Sequence, residues 1–184
     1  MTTIYFVRHA LPDFPPGVPD GERSLKAEGL RDRAIVLDFL RDKPVDGFYC
    51  SPYRRSLETI APAAEFFRME IATDFRLRER THGPNGNNIP MFRRRWADFD
   101  YQEPGGECLR SVQERNIAAL RDILARNEGK TLVLGTHGTA LSTILNHYYP
   151  SWGLEAFLRV KDWMPWIEEA RFEGDGMVLH RERG

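Results

Sequence analysis

Unbroken apolar runs mark two strands. Ile4-Tyr5-Phe6-Val7 and Thr131-Leu132-Val133-Leu134 carry no charge, the pattern of a strand buried on both faces. Phe48-Tyr49-Cys50 is a shorter run of the same kind, and Glu70 to Thr73 is a weaker one. Phe75 to Arg80 alternates apolar and charged residues up to Glu79. Between these runs the spacing turns helical. Ser24 opens one helix, with Glu28 in its first turn and Leu30, Ala34, Leu37 and Leu40 on one face. Ser51-Pro52 reads as a cap followed by a first-turn proline, and Leu57, Ile60, Ala61, Ala64 and Phe67 line the helix behind it. Pro62 predicts a kink or a split in that helix. A longer helix runs from Cys108 to Arg126, with Gly129 ending it, and another carries Leu141, Ile144 and Leu145. The tail from Trp163 to His180 predicts two strands joined at Glu173-Gly174-Asp175-Gly176.

Two stretches lack periodicity. Residues 11–21 hold four prolines and two glycines and follow the first strand directly, as a linker or as the wall of a site. Residues 81–106 read as an excursion from the core, with a short helix around Met91 to Phe99. The alternation of strand and helix predicts an α/β fold: a three-layer α/β/α sandwich with a mainly parallel central sheet, an antiparallel margin and an inserted lobe around 81–106. Right-handed crossovers place the parallel strands' carboxyl ends on one edge.

Composition narrows the class. The chain has 184 residues, the size of one domain spanning 1–184, and 41% are hydrophobic. A formal net charge of −1 argues for neither a nucleic-acid partner nor an anionic membrane surface. Cys50 and Cys108 lack metal-ligand spacing. No secretory pattern opens the chain and no apolar run suits a membrane span, so the expected setting is cytoplasmic. Oligomeric state has no signal.

Chemistry gathers at the strand ends. Val7-Arg8-His9 and Leu134-Gly135-Thr136-His137 each run from a buried strand into a histidine. The third strand ends at Ser51, and the helix start behind it carries Arg54 and Arg55. On one sheet edge, two histidines, arginines and free helix N–H groups describe a phosphate pocket.

The motifs resemble those of the histidine phosphatase superfamily, phosphoglycerate-mutase-like branch, in the same order. Val7-Arg8-His9-Ala10 is similar to the signature whose histidine is phosphorylated, and Ser24 to Gly29 to the "LTxxG" helix start. Ser51 to Thr59 resembles "SPLxRAxQT", Leu77-Arg78-Glu79 resembles "LxE", and Pro104 to Glu107 resembles "GGES". Leu132 to Gly138 resembles the strand before the second pocket histidine. The resemblance implies catalytic His9, Glu79 and His137, with phosphate held by Arg8, Arg55 and His137. A neutral imidazole attacks phosphorus, positive neighbours keep it neutral, and Glu79 protonates the leaving oxygen. No metal and no cofactor is implied, and the partner is a small phosphomonoester. A mutase that returns the phosphoryl group, or a binding protein without turnover, are the alternatives. His82 and Arg54 are candidates for further substrate contact; as a loop histidine, His82 otherwise faces solvent. Arg93-Arg94-Arg95 reads as a solvated helix face with Trp96 turned inward, in preference to a lid that guides a multiply charged phosphate, and Arg115 as either a support of the sheet edge or a surface residue. The chain departs from the family pattern at Ala10, where glycine is usual, and at Leu11-Pro12, where the family has a polar stretch. A positive φ at Ala10 would be costly.

Overall fold

The computed structural model describes residues 1–183. Its centre is a six-stranded sheet. The strands are β1 (Thr2–Arg8), β2 (Gly47–Cys50), β3 (Ile71–Thr73), β4 (Thr131–Thr136), β5 (Trp166–Glu173) and β6 (Gly176–Glu182), in the order β3-β2-β4-β1-β5-β6. The first four in that order are parallel, and β5 and β6 add an antiparallel margin.

Strand pleat sorts side chains to two faces. Ile4 and Phe6 of β1, with Leu132 and Leu134 of β4, enter one core with Leu120, Leu141, Trp166 and Phe172. Tyr5, Val7 and Val133 enter a second core with Val36, Leu40, Phe48 and Ile60. Helices α1 (Ala27–Leu40) and α2 (Arg54–Phe67) cover the second face. Helices α4 (Leu109–Arg126) and α5 (Gly138–Tyr148) cover the first. This is the expected three-layer sandwich. The lobe holds α3 (Ile89–Ala97), which packs against α6 (Leu154–Val160), an element the sequence reading had not anticipated. Among the described residues no helix is long and apolar enough to cross a membrane.

Three local expectations need correction. α1 begins at Ala27, because the Ser24 hydroxyl bonds the Glu58 carboxylate at 2.8 and 2.9 Å instead of capping the helix. Its inward face is Gly29, Val36 and Leu40, while Leu30 and Ala34 are exposed. Gly29 sets that orientation: a Cβ there would lie 2.3 Å from the Leu11 carbonyl oxygen, so only glycine lets α1 press against the chain leaving β1. α2 begins at Arg54, not at Pro52, and runs through Pro62 unbroken. Proline deprives the Glu58 carbonyl of its helical donor, and Arg33 Nη1 donates to that oxygen at 3.4 Å instead. Finally, Arg95 is buried: its guanidinium donates to Glu103 at 2.7 and 3.2 Å. Arg93 and Arg94 are exposed and Trp96 packs on Phe157, as the sequence pattern predicts.

Candidate active site

The carboxyl ends of β1, β2 and β4 meet at one edge. Arg8 is paired with Thr136 and Cys50 with Gly135, so the residues that follow, His9, Ser51 and His137, converge. The His9 and His137 rings lie 5.3 Å apart between centroids.

The His9 tautomer follows from its partner. Nδ1 lies 2.8 Å from the Ala10 carbonyl oxygen, which can only accept, so Nδ1 carries the proton and Nε2 carries the lone pair. Burial, followed by the Arg8 and Arg55 charges, holds this imidazole well below its usual proton affinity. His9 is therefore neutral at pH 7. Ala10 keeps an ordinary negative φ, and the strain expected from replacing glycine is absent. Its N–H donates to Thr59 Oγ1 at 3.0 Å, and that hydroxyl donates to the Arg55 carbonyl at 2.7 Å. Thr59 thus ties the loop after His9 to the start of α2.

His137 is fully buried and is not among the residues lining the cavity. Its Nε2 meets Ser51 Oγ at 2.8 Å, while Nδ1 is buried without a hydrogen-bond partner. Burial, then Arg55 and His9, push its proton affinity well down. Ser51, expected as a helix cap, instead accepts the Tyr53 N–H at 3.2 Å and orients this ring.

Arg8 is anchored from behind. Its Nη1 donates to the carbonyls of Val160, Lys161 and Trp163 at 3.1, 2.7 and 3.2 Å, where α6 ends. Its Nε is buried without a partner. Burial lowers its pKa to about 10, with Glu79 pulling the other way, so it stays charged at neutral pH. A Cβ on Gly138 would stand 2.9 Å from the Arg8 Cζ, so glycine here makes room for the guanidinium. Arg55 is also buried. It donates to the Asp20 backbone oxygen at 2.6 Å and approaches both Asp20 carboxylate oxygens, at 3.2 and 3.3 Å.

Glu79 lies across the N-terminus of α5. Its carboxylate accepts the N–H groups of Thr139, Ala140 and Arg80 at 3.0, 3.1 and 2.8 Å. The backbone that carries it is clamped by Arg115, which donates to the carbonyls of Arg76, Arg78 and Glu79 at 2.6, 2.7 and 3.0 Å. Glu107 holds Arg115 in turn through two bonds of 2.9 Å. Arg115 therefore supports the sheet edge, the first of the two placements left open by the sequence.

Arg8, His9, Arg55 and Glu79 face a cavity of about 320 Å³. Loop 11–21 contributes Pro12, Phe14 and Asp20, so it is a wall and not a plain linker. His82 lines the mouth, exposed, with Nε2 3.4 Å from the Asn87 side chain. Desolvation by the wall lowers its proton affinity, although Glu79 and Asp20 pull the other way. Arg54 is not among the lining residues; it is exposed and donates to Glu58 at 2.7 Å. Sequence reasoning missed Asp20, Thr59 and the wall residues from α3 and α6. Only Thr59 carried a signal, as the last position of the Ser51 to Thr59 motif.

Residues 4–181 match the model of the histidine phosphatase superfamily, branch 1. Phosphoserine phosphatase 1 of Hydrogenobacter thermophilus is 26% identical over 152 residues, covering 74% of this chain and 71% of the relative. Two solved structures share the fold. Phosphoserine phosphatase of Entamoeba histolytica, in complex with 3-phosphoglyceric acid, superposes with a TM-score of 0.79 at 20% identity, covering 100% of this chain and 98% of that one. A mycobacterial glucosyl-3-phosphoglycerate phosphatase superposes with a TM-score of 0.74 at 16% identity, covering 98% and 96%.

Proposed function

The chain belongs to the histidine phosphatase superfamily, branch 1, and from that premise we propose that it hydrolyses a phosphomonoester through a phosphohistidine at His9, without a metal ion. The observation that carries this reading is the His9 tautomer. The Nδ1–H bond to the Ala10 carbonyl leaves the Nε2 lone pair free, on a ring that lines the cavity together with Arg8 and Arg55.

The chemistry divides into two displacements. Nε2 attacks phosphorus, an N–P bond forms, and the bond to the leaving oxygen breaks. Glu79 delivers its proton to that oxygen, so the alcohol departs neutral. Water then attacks phosphorus on the phosphohistidine. Glu79, now a carboxylate, accepts the water's proton, the N–P bond breaks, and the electron pair returns to Nε2. Arg8 and Arg55 face the charge on the non-bridging oxygens throughout, and their fixed positions mean little reorganisation is needed at the transition state. His137, buried and held by Ser51, stands beside the His9 ring.

The test is release of inorganic phosphate in a chelator from an aryl phosphate and from sugar and glycolytic phosphates. Release that disappears in His9→Ala supports the reading. Isomerised product without phosphate release would replace it with a mutase, and no turnover on any donor would replace it with a binding role.

A further inference from the structure

The cavity has two unlike ends. Its floor is Arg8, His9 and Arg55. Beyond the floor the lining is mixed, and its apolar part is largely aromatic. Phe92 of α3 meets Phe157 of α6 edge to face, 5.0 Å between ring centroids, and Phe14 and Met164 line the same space. Phe157 is buried against Trp96, which fixes the wall from behind. In-line displacement places the leaving group opposite His9, away from the floor. The leaving group then lies in the part of the cavity that these rings help to line.

The charged groups near the mouth are already matched. Asp20 pairs with Arg55 and with Arg23. Lys161 and Asp162 pair with each other. Of the lobe's cations, Arg80 and Arg95 are buried against Glu103 and turned away from bulk solvent. His82 is held toward its neutral form by the wall around it. Among the described residues lining the cavity beyond the floor, Lys161 is the one arginine or lysine, and it is paired. A carboxylate on the leaving group would find no unmatched cation there. Desolvating such a charge without a partner costs affinity, whereas an apolar ring gains by leaving water.

Building on the phosphatase reading, we propose that the preferred substrates are monoesters whose leaving group is uncharged and apolar, an aryl or arylalkyl alcohol, and that Phe92 and Phe157 form the seat of the ring. The wall then selects substrate, while the floor performs the same chemistry on any monoester.

The intact protein is given 3-phenylpropyl phosphate, n-propyl phosphate and phosphoserine, and kcat/KM is measured from phosphate release. The two alkyl esters have leaving alcohols of similar basicity, so intrinsic reactivity does not decide their ranking, and serine, the better leaving group, is favoured by reactivity alone. The phenylpropyl ester should exceed the propyl ester at least about tenfold, mainly through a lower KM, as expected for an added group bound in an apolar pocket. Phosphoserine should fall at or below the propyl ester. Phe92→Ala should collapse the phenylpropyl-to-propyl ratio toward one. Equal efficiencies for the two alkyl esters, or a preference for phosphoserine, would overturn the proposal and leave the phosphatase reading standing. No phosphate release from any of the three, or from an aryl phosphate, would overturn both.

Discussion

Asp20 offers a sharp test of how the floor handles anions. Its carboxylate lies 3.2 Å from Arg55 Nη1, and its backbone oxygen accepts from the same nitrogen at 2.6 Å. A phosphate drawn to Arg55 meets that carboxylate as a like charge. Two negative charges on phosphate, about 5 Å from one on Asp20, repel by roughly 1.5 kcal/mol at the dielectric of water and by more in the half-buried cleft. Replacing Asp20 with asparagine removes the charge and keeps the size, and the backbone bond to Arg55 is untouched. The expected result is tighter binding of inorganic phosphate, by about tenfold, which corresponds to ~1.4 kcal/mol. The assay is competitive inhibition by phosphate, with wild type and Asp20→Asn measured side by side. The difference should shrink as salt is raised, because part of the cleft is open to solvent. An unchanged or weaker inhibition constant in the variant would refute the reasoning and leave Asp20 as a structural prop of the loop.

Other expectations follow from the same geometry. Arg115→Met removes the nearer of Glu107's two arginine partners and strands three backbone carbonyls, so the variant should lose roughly 3 kcal/mol in denaturant unfolding. It should also lose about 100-fold in kcat/KM on alkyl phosphates but much less in kcat/KM on p-nitrophenyl phosphate, whose leaving group departs without a proton; an equal fall on both would argue against a shifted Glu79. For His9 and His137, the folded state disfavours the proton, mainly through burial. Their unfolded values lie near 6.5, so the unfolded chain takes up protons first as pH falls. The stability they contribute is complete above about pH 6.5 and is lost below it, by up to ~1.4 kcal/mol per pH unit for each ring. Urea unfolding between pH 7 and pH 5 should show this slope, and His137→Asn should flatten it. Glu168, whose pKa burial raises, contributes in the opposite sense in both proteins, so the comparison isolates His137.

The strands were legible because both faces of β1 and β4 are buried, which leaves an unbroken apolar run in each. The floor was not legible from one residue, since an Arg-His pair at a strand end has an ordinary surface reading; the expectation came from two histidines and two arginines gathering at one sheet edge. The orientation of α1 was not legible, since it depends on Gly29 meeting Leu11 at close range, a contact that hydropathy does not register. The course of α2 through Pro62 depended on Arg33 of another helix taking over a carbonyl. Asp20 was hidden in a loop whose composition predicts irregularity and nothing about which residue turns inward. The aromatic wall was hidden because Phe92 and Phe157 are 65 positions apart and meet only when α3 packs on α6.

The central claim is that phosphorus passes through Nε2 of His9. It is tested most directly by quenching the protein in alkali within its first turnover on an aryl phosphate, then digesting it and locating the phosphoryl group by mass spectrometry. The expected result is one phosphoryl group on the peptide containing His9, absent without substrate and absent in His9→Ala. Full phosphate release with no label on that peptide at any quench time, or label on another residue, would contradict the account.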